Sequence, residues 1–144
     1  MKKEFDDFSE KVKMIHATYR TLIRKVTDEH DITVPHYKLL CGIASDEGLS
    51  QVELAKDVHM QTPTVSLLLK QMEEMELVFR RPDKYDLRKT HVYTSEKGKA
   101  LFLVLNRESL KIEASIMKGT SPEDAEAFYR VLDNMERNAK LLVK

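Results

Sequence analysis

Residues 62–74 read TPTVSLLLKQMEE, 75–81 MELVFRR, 82–89 PDKYDLRK and 90–98 THVYTSEKG. The first stretch has the 3.6-residue period of an amphipathic helix. Val65, Leu68, Leu69 and Met72 share one face; Pro63, Ser66, Leu67 and Lys70 lie opposite, with Thr64 and Gln71 at the flank. Thr62 is expected to cap this helix with Pro63 at its first position, and the helix is expected to run to Glu76. Strand formers follow at Leu77–Arg81 and Thr90–Thr94, separated by a charged turn around Pro82, Asp83 and Lys84. Helix, strand, turn and strand in this order are the second half of a helix-turn-helix carrying a β-hairpin wing.

Upstream, Val34–Ser45 reads as a helix with Tyr37, Leu40, Cys41 and Ala44 on one side, ended by Asp46-Glu47-Gly48. Ser50 with Glu53 forms a capping box for a short helix whose Val52, Leu54, Ala55 and Val58 are expected to face inward. His59-Met60-Gln61 is then the turn into the helix at Thr62. Toward the N-terminus, Phe5, Phe8, Val12, Ile15, Tyr19, Leu22 and Val26 make one apolar stripe along a helix over 4–29. Residues 95–117 form a third long helix, and its Leu101–Leu105 run, apolar nearly all round, is expected to be buried centrally. Over 121–143, Ser121 caps a helix with Pro122 at N1 and Glu123 and Asp124 on the positive end of the dipole, while Ala125, Phe128, Leu132, Met135, Ala139 and Leu142 form its stripe. The expected fold is mainly α with a small β-hairpin wing, a winged helix-turn-helix over 33–94 inside a single domain, 1–144. Two long terminal stripes exceed what so short a chain covers, so they are expected to pack against a second copy in a two-fold homodimer.

Composition bounds the function. The chain has 144 residues with 24 basic and 24 acidic, a net charge of zero, so affinity for a polyanion must come from a local patch. The lone Cys41 suits a reducing cytoplasm, and no apolar run approaches a signal peptide or membrane span. A phosphate-binding glycine loop, a nucleophile elbow, a CxxC pair and a helical HExxH are all missing, so nothing invites an enzymatic reading or a cofactor.

The outer face of the helix from Thr62 is small and polar in its N-terminal half. Such a face can enter the major groove of duplex DNA, where Thr, Ser and Gln71 can hydrogen-bond base edges and Leu67 can touch a thymine methyl. Glu73, Glu74 and Glu76 would repel phosphates at its far end. Between Phe79 and His91 stand five cations (Arg80, Arg81, Lys84, Arg88, Lys89) and two acids (Asp83, Asp86), a local net of +3 suited to phosphates or the minor groove. Asp86 and Arg88 are expected to serve different ends: the carboxylate holds a neighbouring basic side chain or backbone N–H groups, and the guanidinium reaches DNA.

This succession resembles the MarR family of winged-helix regulators. The matching pieces are Leu49-Ser50-Gln51-Val52-Glu53-Leu54-Ala55, Thr64-Val65-Ser66, Leu77-Val78-Phe79-Arg80-Arg81, Asp86-Leu87-Arg88 and Ser95-Glu96-Lys97-Gly98. The resemblance implies a homodimer on a pseudo-palindromic operator, usually a repressor released by a small ligand. Helix 62–76 would enter the major groove through Thr62, Pro63, Thr64, Ser66, Leu67 and Lys70. Wing 80–91 would meet the minor groove and phosphates through Arg81, Lys84, Arg88 and Lys89, oriented by Asp86. Leu67 departs from the arginine frequent at that place, and Glu76 from a helix-ending glycine, so the turn into Leu77 is expected without left-handed relief.

By the same resemblance, a crevice walled by the first helix, the Val34–Ser45 helix and the start of the residue-95 helix would take a phenolic or anionic effector through His16, Tyr19, Arg20 and Tyr37. A redox reading would rest on Cys41, which faces the apolar side, whereas the family's sensing cysteine lies in the first helix. A metal reading finds His16, His30, His36, His59 and His91 scattered, so that a site would have to assemble across the fold, for example from Glu29, His30 and His36. A third alternative is a winged helix that grips protein in place of DNA.

Overall fold

The computed structural model describes residues 2–143, with side chains from Asp7 onward; Phe5 of the first stripe lies outside the described side chains. Its elements are α1 (Lys2–Glu29), α2 (Val34–Ser45), α3 (Gln51–Asp57), α4 (Thr62–Glu74), β1 (Val78–Pro82), β2 (Thr90–Thr94), α5 (Glu96–Ile116) and α6 (Pro122–Leu142). The fold is mainly α with a small β-hairpin, in the expected winged helix-turn-helix order. The chain forms two compact units, one ending at Leu110 and one beginning at Lys111.

In the first unit, α2, α3 and α4 pack around Leu39, Leu40, Ile43, Leu54, Val65, Leu69 and Met72, all essentially without solvent contact. Both short helices start on a capping box. Ser50 Oγ accepts the Glu53 N–H while Glu53 Oε2 accepts the Ser50 N–H. At α2, Thr33 Oγ1 accepts the His36 N–H and His36 Nδ1 accepts the Thr33 N–H, a box in which a histidine ring replaces the usual carboxylate. The hairpin pairs antiparallel from Val78↔Thr94 to Pro82↔Thr90. The α2–α3 loop joins the two-stranded hairpin through an isolated bridge: Gly48 N–H donates to Val92 O, Val92 N–H to Leu49 O, and Ser50 bridges His91. The wing is therefore bonded to the helix-turn-helix body along β2.

Several expectations need correcting. Gln61, which makes no side-chain cap bond, is the N-cap of α4, so Thr62 is its first helical residue and Pro63 its second. The helix closes at Glu74, and Glu76 does adopt the left-handed conformation, φ +60°. Leu77 N–H bonds to Met72 O and Glu76 N–H to Glu73 O, the paired bonds of a Schellman end made without glycine. Val52 is 53 % exposed, because one turn of so short a helix points away from α4. In the first stripe, Phe8, Val12 and Ile15 stand exposed, while Ile23 and Thr27 are the buried residues among the described side chains of α1. Of the Leu101–Leu105 run only Leu105 is fully buried and Leu103 is 62 % exposed, since consecutive helical residues point all round and one face meets the core.

In the second unit, the end of α5 turns through Gly119 (φ +88°) into α6, whose Ser121 Oγ accepts the Asp124 N–H as expected. Tyr129 donates its hydroxyl to Glu113. No α6 residue is buried, so its apolar stripe is bare. Among the described residues no helix is long and apolar enough to cross a membrane.

Candidate nucleic-acid interface

The exposed side of α4 carries the residues singled out for it. Thr62, Pro63, Thr64, Leu67 and Lys70 are exposed and Ser66 half-buried, while Val65, Leu69 and Met72 on the other side anchor the helix in the core. Gln71 does not join the outward set. The Thr33 N–H occupies His36 Nδ1, so His36 Nε2 carries the proton and donates it to Gln71 Oε1 at 2.8 Å. The buried His36 thus ties the start of α2 to the middle of α4.

An open cleft of about 480 Å³ joins this helix to the wing, lined by Ser50–Glu53, Thr62 and Arg88–Thr90. Thr62, Arg88 and Lys89, distant in sequence, are brought to one concavity. Val52 lines it too, which gives its exposure a place.

The wing's cations are disposed unequally. Arg80 donates Nε to Glu73 and Nη1 to Gln51 Oε1 (3.1 Å), so it ties β1 to α4 and α3, and it also neutralises one of the two acids, Glu73 and Glu74, at the far end of α4. The Arg81 guanidinium lies 5.0 Å from the Phe79 ring centroid and 6.0 Å from that of Tyr93, over two cross-strand partners stacked at 5.3 Å. Lys84 lies over the Tyr85 ring at 5.7 Å. Lys70 and Lys89 are exposed and take part in no ion pair among the described residues.

Asp86 holds a backbone N–H and a basic side chain, as expected of it, and both belong to Arg88. Asp86 Oδ1 accepts both the Arg88 N–H (3.1 Å) and Nε–H (3.0 Å), and Oδ2 accepts Nη2 (3.3 Å). Those bonds hold the Asp86 carboxyl below its ordinary range. The Arg88 side chain remains 92 % exposed, a charge aimed outward on a braced stem.

The residues that the sequence reading missed are Asp83 and His91. Asp83 Oδ1 accepts the N–H groups of Tyr85 and Asp86, both at 2.8 Å, and Oδ2 faces His91 Nε2 at 2.7 Å. The His91 bond first, then the two backbone bonds, bring the Asp83 carboxyl down to about 2. His91 Nδ1 faces the Gly48 carbonyl at 2.8 Å, and its pKa is raised by Asp83 first and by that carbonyl second. An Asp opening a turn is a legible signal; a histidine's bond to a carbonyl 43 residues away is not.

The expected effector residues divide. Tyr19 OH and Ser109 Oγ are 2.7 Å apart, and the buried Tyr37 hydroxyl joins the same group with Cys41; burial raises the pKa of both Tyr37 and Cys41. His16 and Arg20 are exposed on α1. A separate cavity of about 460 Å³ lies among His30, Asp31, Ile32, Met75, Leu77, Lys97 and Leu101. Lys97 Nζ donates to Met75 O at its edge. Among the described residues no three His, Cys, Asp or Glu side chains converge as metal ligands, and His36 is committed to Thr33 and Gln71, so Glu29, His30 and His36 do not assemble.

Known proteins share this fold. A sequence model described as "MarR family" matches residues 32–90, from just before α2 to the first residue of β2. The HTH-type transcriptional regulator SarZ of Staphylococcus aureus (strain USA300) is 29 % identical over 102 residues, 69 % of each chain. The crystal structure of the transcriptional regulator SlyA superposes with a TM-score of 0.83 at 21 % identity, covering 92 % of this chain and 94 % of that one. The chain in the S. aureus MepR–DNA complex gives 0.80 at 24 %, covering 91 % and 97 %. The matched segment holds α2, α3, the outward face of α4 and the first strand and turn of the wing, and the fold agrees over nine-tenths of the length: residues 32–90 are similar to the MarR family, and the chain has the winged helix-turn-helix fold of these transcriptional regulators.

Proposed function

We propose that the protein is a sequence-specific DNA-binding repressor that acts as a homodimer on a pseudo-palindromic operator and is released by a small effector. The observation that carries this reading is the cleft that unites the start of α4 with Arg88 and Lys89 of the wing. Duplex DNA laid there would receive α4 in its major groove. Thr62, Thr64 and Ser66 offer hydroxyls to base edges, Leu67 offers an apolar surface to a thymine methyl, and Lys70 meets phosphate. Arg88 reaches the adjoining minor groove, with Lys84 and Lys89 on the backbone. The relative MepR has been solved with DNA, which supports the same mode here.

A dimer is supported by the bare apolar stripes of the terminal helices. Phe8, Val12 and Ile15 on α1 and Phe128, Leu132 and Met135 on α6 are each between 36 % and 51 % exposed, which a second copy would cover. Two reading helices then address half-sites about one turn of DNA apart. For the effector, the cavity beside His30 and Lys97 has the volume of a small-ligand site, and Tyr19 and Tyr37 offer phenolic or anionic compounds polar contacts nearer α5.

The test is fluorescence anisotropy with DNA from upstream of the protein's own gene, at two salt concentrations, with scrambled competitor. Tight, salt-sensitive binding that survives the competitor is the expected result. A wing that grips protein would bind both DNAs weakly and equally, and Arg88→Glu would leave that unchanged.

A further inference from the structure

Both ring nitrogens of His91 face acceptors. Nδ1 lies 2.8 Å from the Gly48 carbonyl oxygen and Nε2 2.7 Å from the Asp83 carboxylate. A neutral imidazole has one N–H and can satisfy only one of them; the other would meet a lone pair. The two acceptors belong to different parts of the fold: Gly48 to the loop joining α2 and α3, Asp83 to the turn of the wing. We infer that His91 is a positioning residue for DNA binding, which in its doubly protonated form clamps the wing turn to the helix-turn-helix body. This rests on the DNA-binding reading above, and it makes the proton on His91 a regulator of that site.

The surroundings favour the imidazolium. Asp83 bonds it directly, and Glu53 of α3 adds attraction across the cleft. Within the wing loop, Lys89 acts on Glu53 and on Asp86, and Arg88 already occupies Asp86, so neither draws the clamp apart. Glu47, in the same loop as Gly48, is committed to Thr94 N–H and hydroxyl. The clamp governs Arg88 through Asp83, whose other oxygen holds the N–H of Asp86, and Asp86 in turn holds the guanidinium. Losing the His91 proton therefore removes a positive charge next in sequence to Thr90 of the cleft and loosens the chain of bonds that aims Arg88.

The sign follows. The folded value lies above the ordinary 6.5, so the clamp is fully made below about that pH and is lost as pH rises through the folded value. DNA phosphates raise that value further, so binding takes up a proton and affinity falls with rising pH in this window. Asp83→Asn separates charge from geometry. Its amide oxygen still accepts the two backbone N–H groups, while its NH₂ donates to Nε2, so a neutral His91 satisfies both partners.

The experiment is an imidazole NMR titration of the full chain, alongside anisotropy between pH 6 and 8.5 at constant ionic strength on a duplex enriched from a random pool. Wild type is expected to show a His91 midpoint above 6.5, with the Tyr85 and Asp86 amide signals moving at the same midpoint. Its affinity is expected to fall about three- to tenfold from pH 6.5 to 8.5. Asp83→Asn is expected to flatten that fall, and His91→Gln to bind weakly across the range; the other histidines are common to all three proteins and cancel. A His91 midpoint at or below 6.5 with the wing amides unmoved overturns the clamp, as does a pH dependence equal in wild type and both variants. If no duplex is enriched, the DNA-binding reading fails, while the titration still decides the clamp.

Discussion

At the residue scale, identical side chains acquire different tasks from their neighbours. Three arginines within nine residues are divided among a structural tie (Arg80), an aromatic stack (Arg81) and an outward charge (Arg88). Arg88→Ala is expected to weaken operator binding at least about tenfold, through loss of a groove and phosphate contact. Thermal unfolding should shift by less than about 0.5 kcal/mol, because so exposed a side chain has little to lose. Anisotropy and a melting curve on the same sample check both halves. Glu76 carries a different cost: its left-handed backbone is disfavoured for any residue with a Cβ. Glu76→Gly should stabilise the fold by about 0.5–1 kcal/mol, after allowing for glycine's greater freedom in the unfolded chain. A denaturation midpoint that moves down would show that the Glu76 side chain does more than occupy the turn. The Asp-x-Arg of the wing was legible as a pair of charges, but their mutual bond was not, since sequence spacing alone does not say which of several nearby partners a carboxylate takes.

At the scale of elements, local rules held where partners are a turn apart. The Ser50–Glu53 capping box, the proline near the start of α4 and the Ser121 cap of α6 involve groups within three residues, and helped to set the element order; the Thr33–His36 box of α2 was not read from the sequence. The rules faltered where a contact between elements decides. Val52 fits an inward apolar position by type, yet α3 turns it toward the cleft. Gly98, in the Ser-Glu-Lys-Gly entry to α5, looks like a helix glycine of no consequence. A Cβ built there would stand 2.0 Å from the Leu77 carbonyl oxygen, so α5 passes against the start of the hairpin at a distance only glycine permits. Ser95 fastens the same crossing by donating its N–H to Leu77 O and its hydroxyl to Glu76 O. Gly98→Ala should therefore destabilise the protein by about 3 kcal/mol or more, by urea unfolding, since backbone must move. Gly42→Ala, whose added Cβ meets only the side-chain ends of Val58 and Leu54, should cost less.

At the scale of the whole molecule, a net charge of zero is compatible with a wing of local net charge +3, and two of the acids near its arginines are paired. Glu73 is answered by Arg80, and Asp86 by Arg88. The proposed dimer makes its own prediction. Replacing Phe128 and Leu132 together by Glu, on the bare stripe of α6, should convert dimer to monomer in sedimentation, remove the dependence of melting temperature on protein concentration, and cost operator affinity. Unchanged sedimentation would place the dimer contact elsewhere. The amphipathic stripes, caps and strand formers were enough to establish the class of fold, the order of elements and the face of α4 that looks outward, because periodicity and capping act over a few residues. Only the folded chain decided that Thr62 shares a cleft with Arg88, that Gln71 turns inward to His36, and that His91 holds the wing to Gly48. Those choices depend on groups tens of residues apart meeting within hydrogen-bonding distance, and no local pattern encodes that.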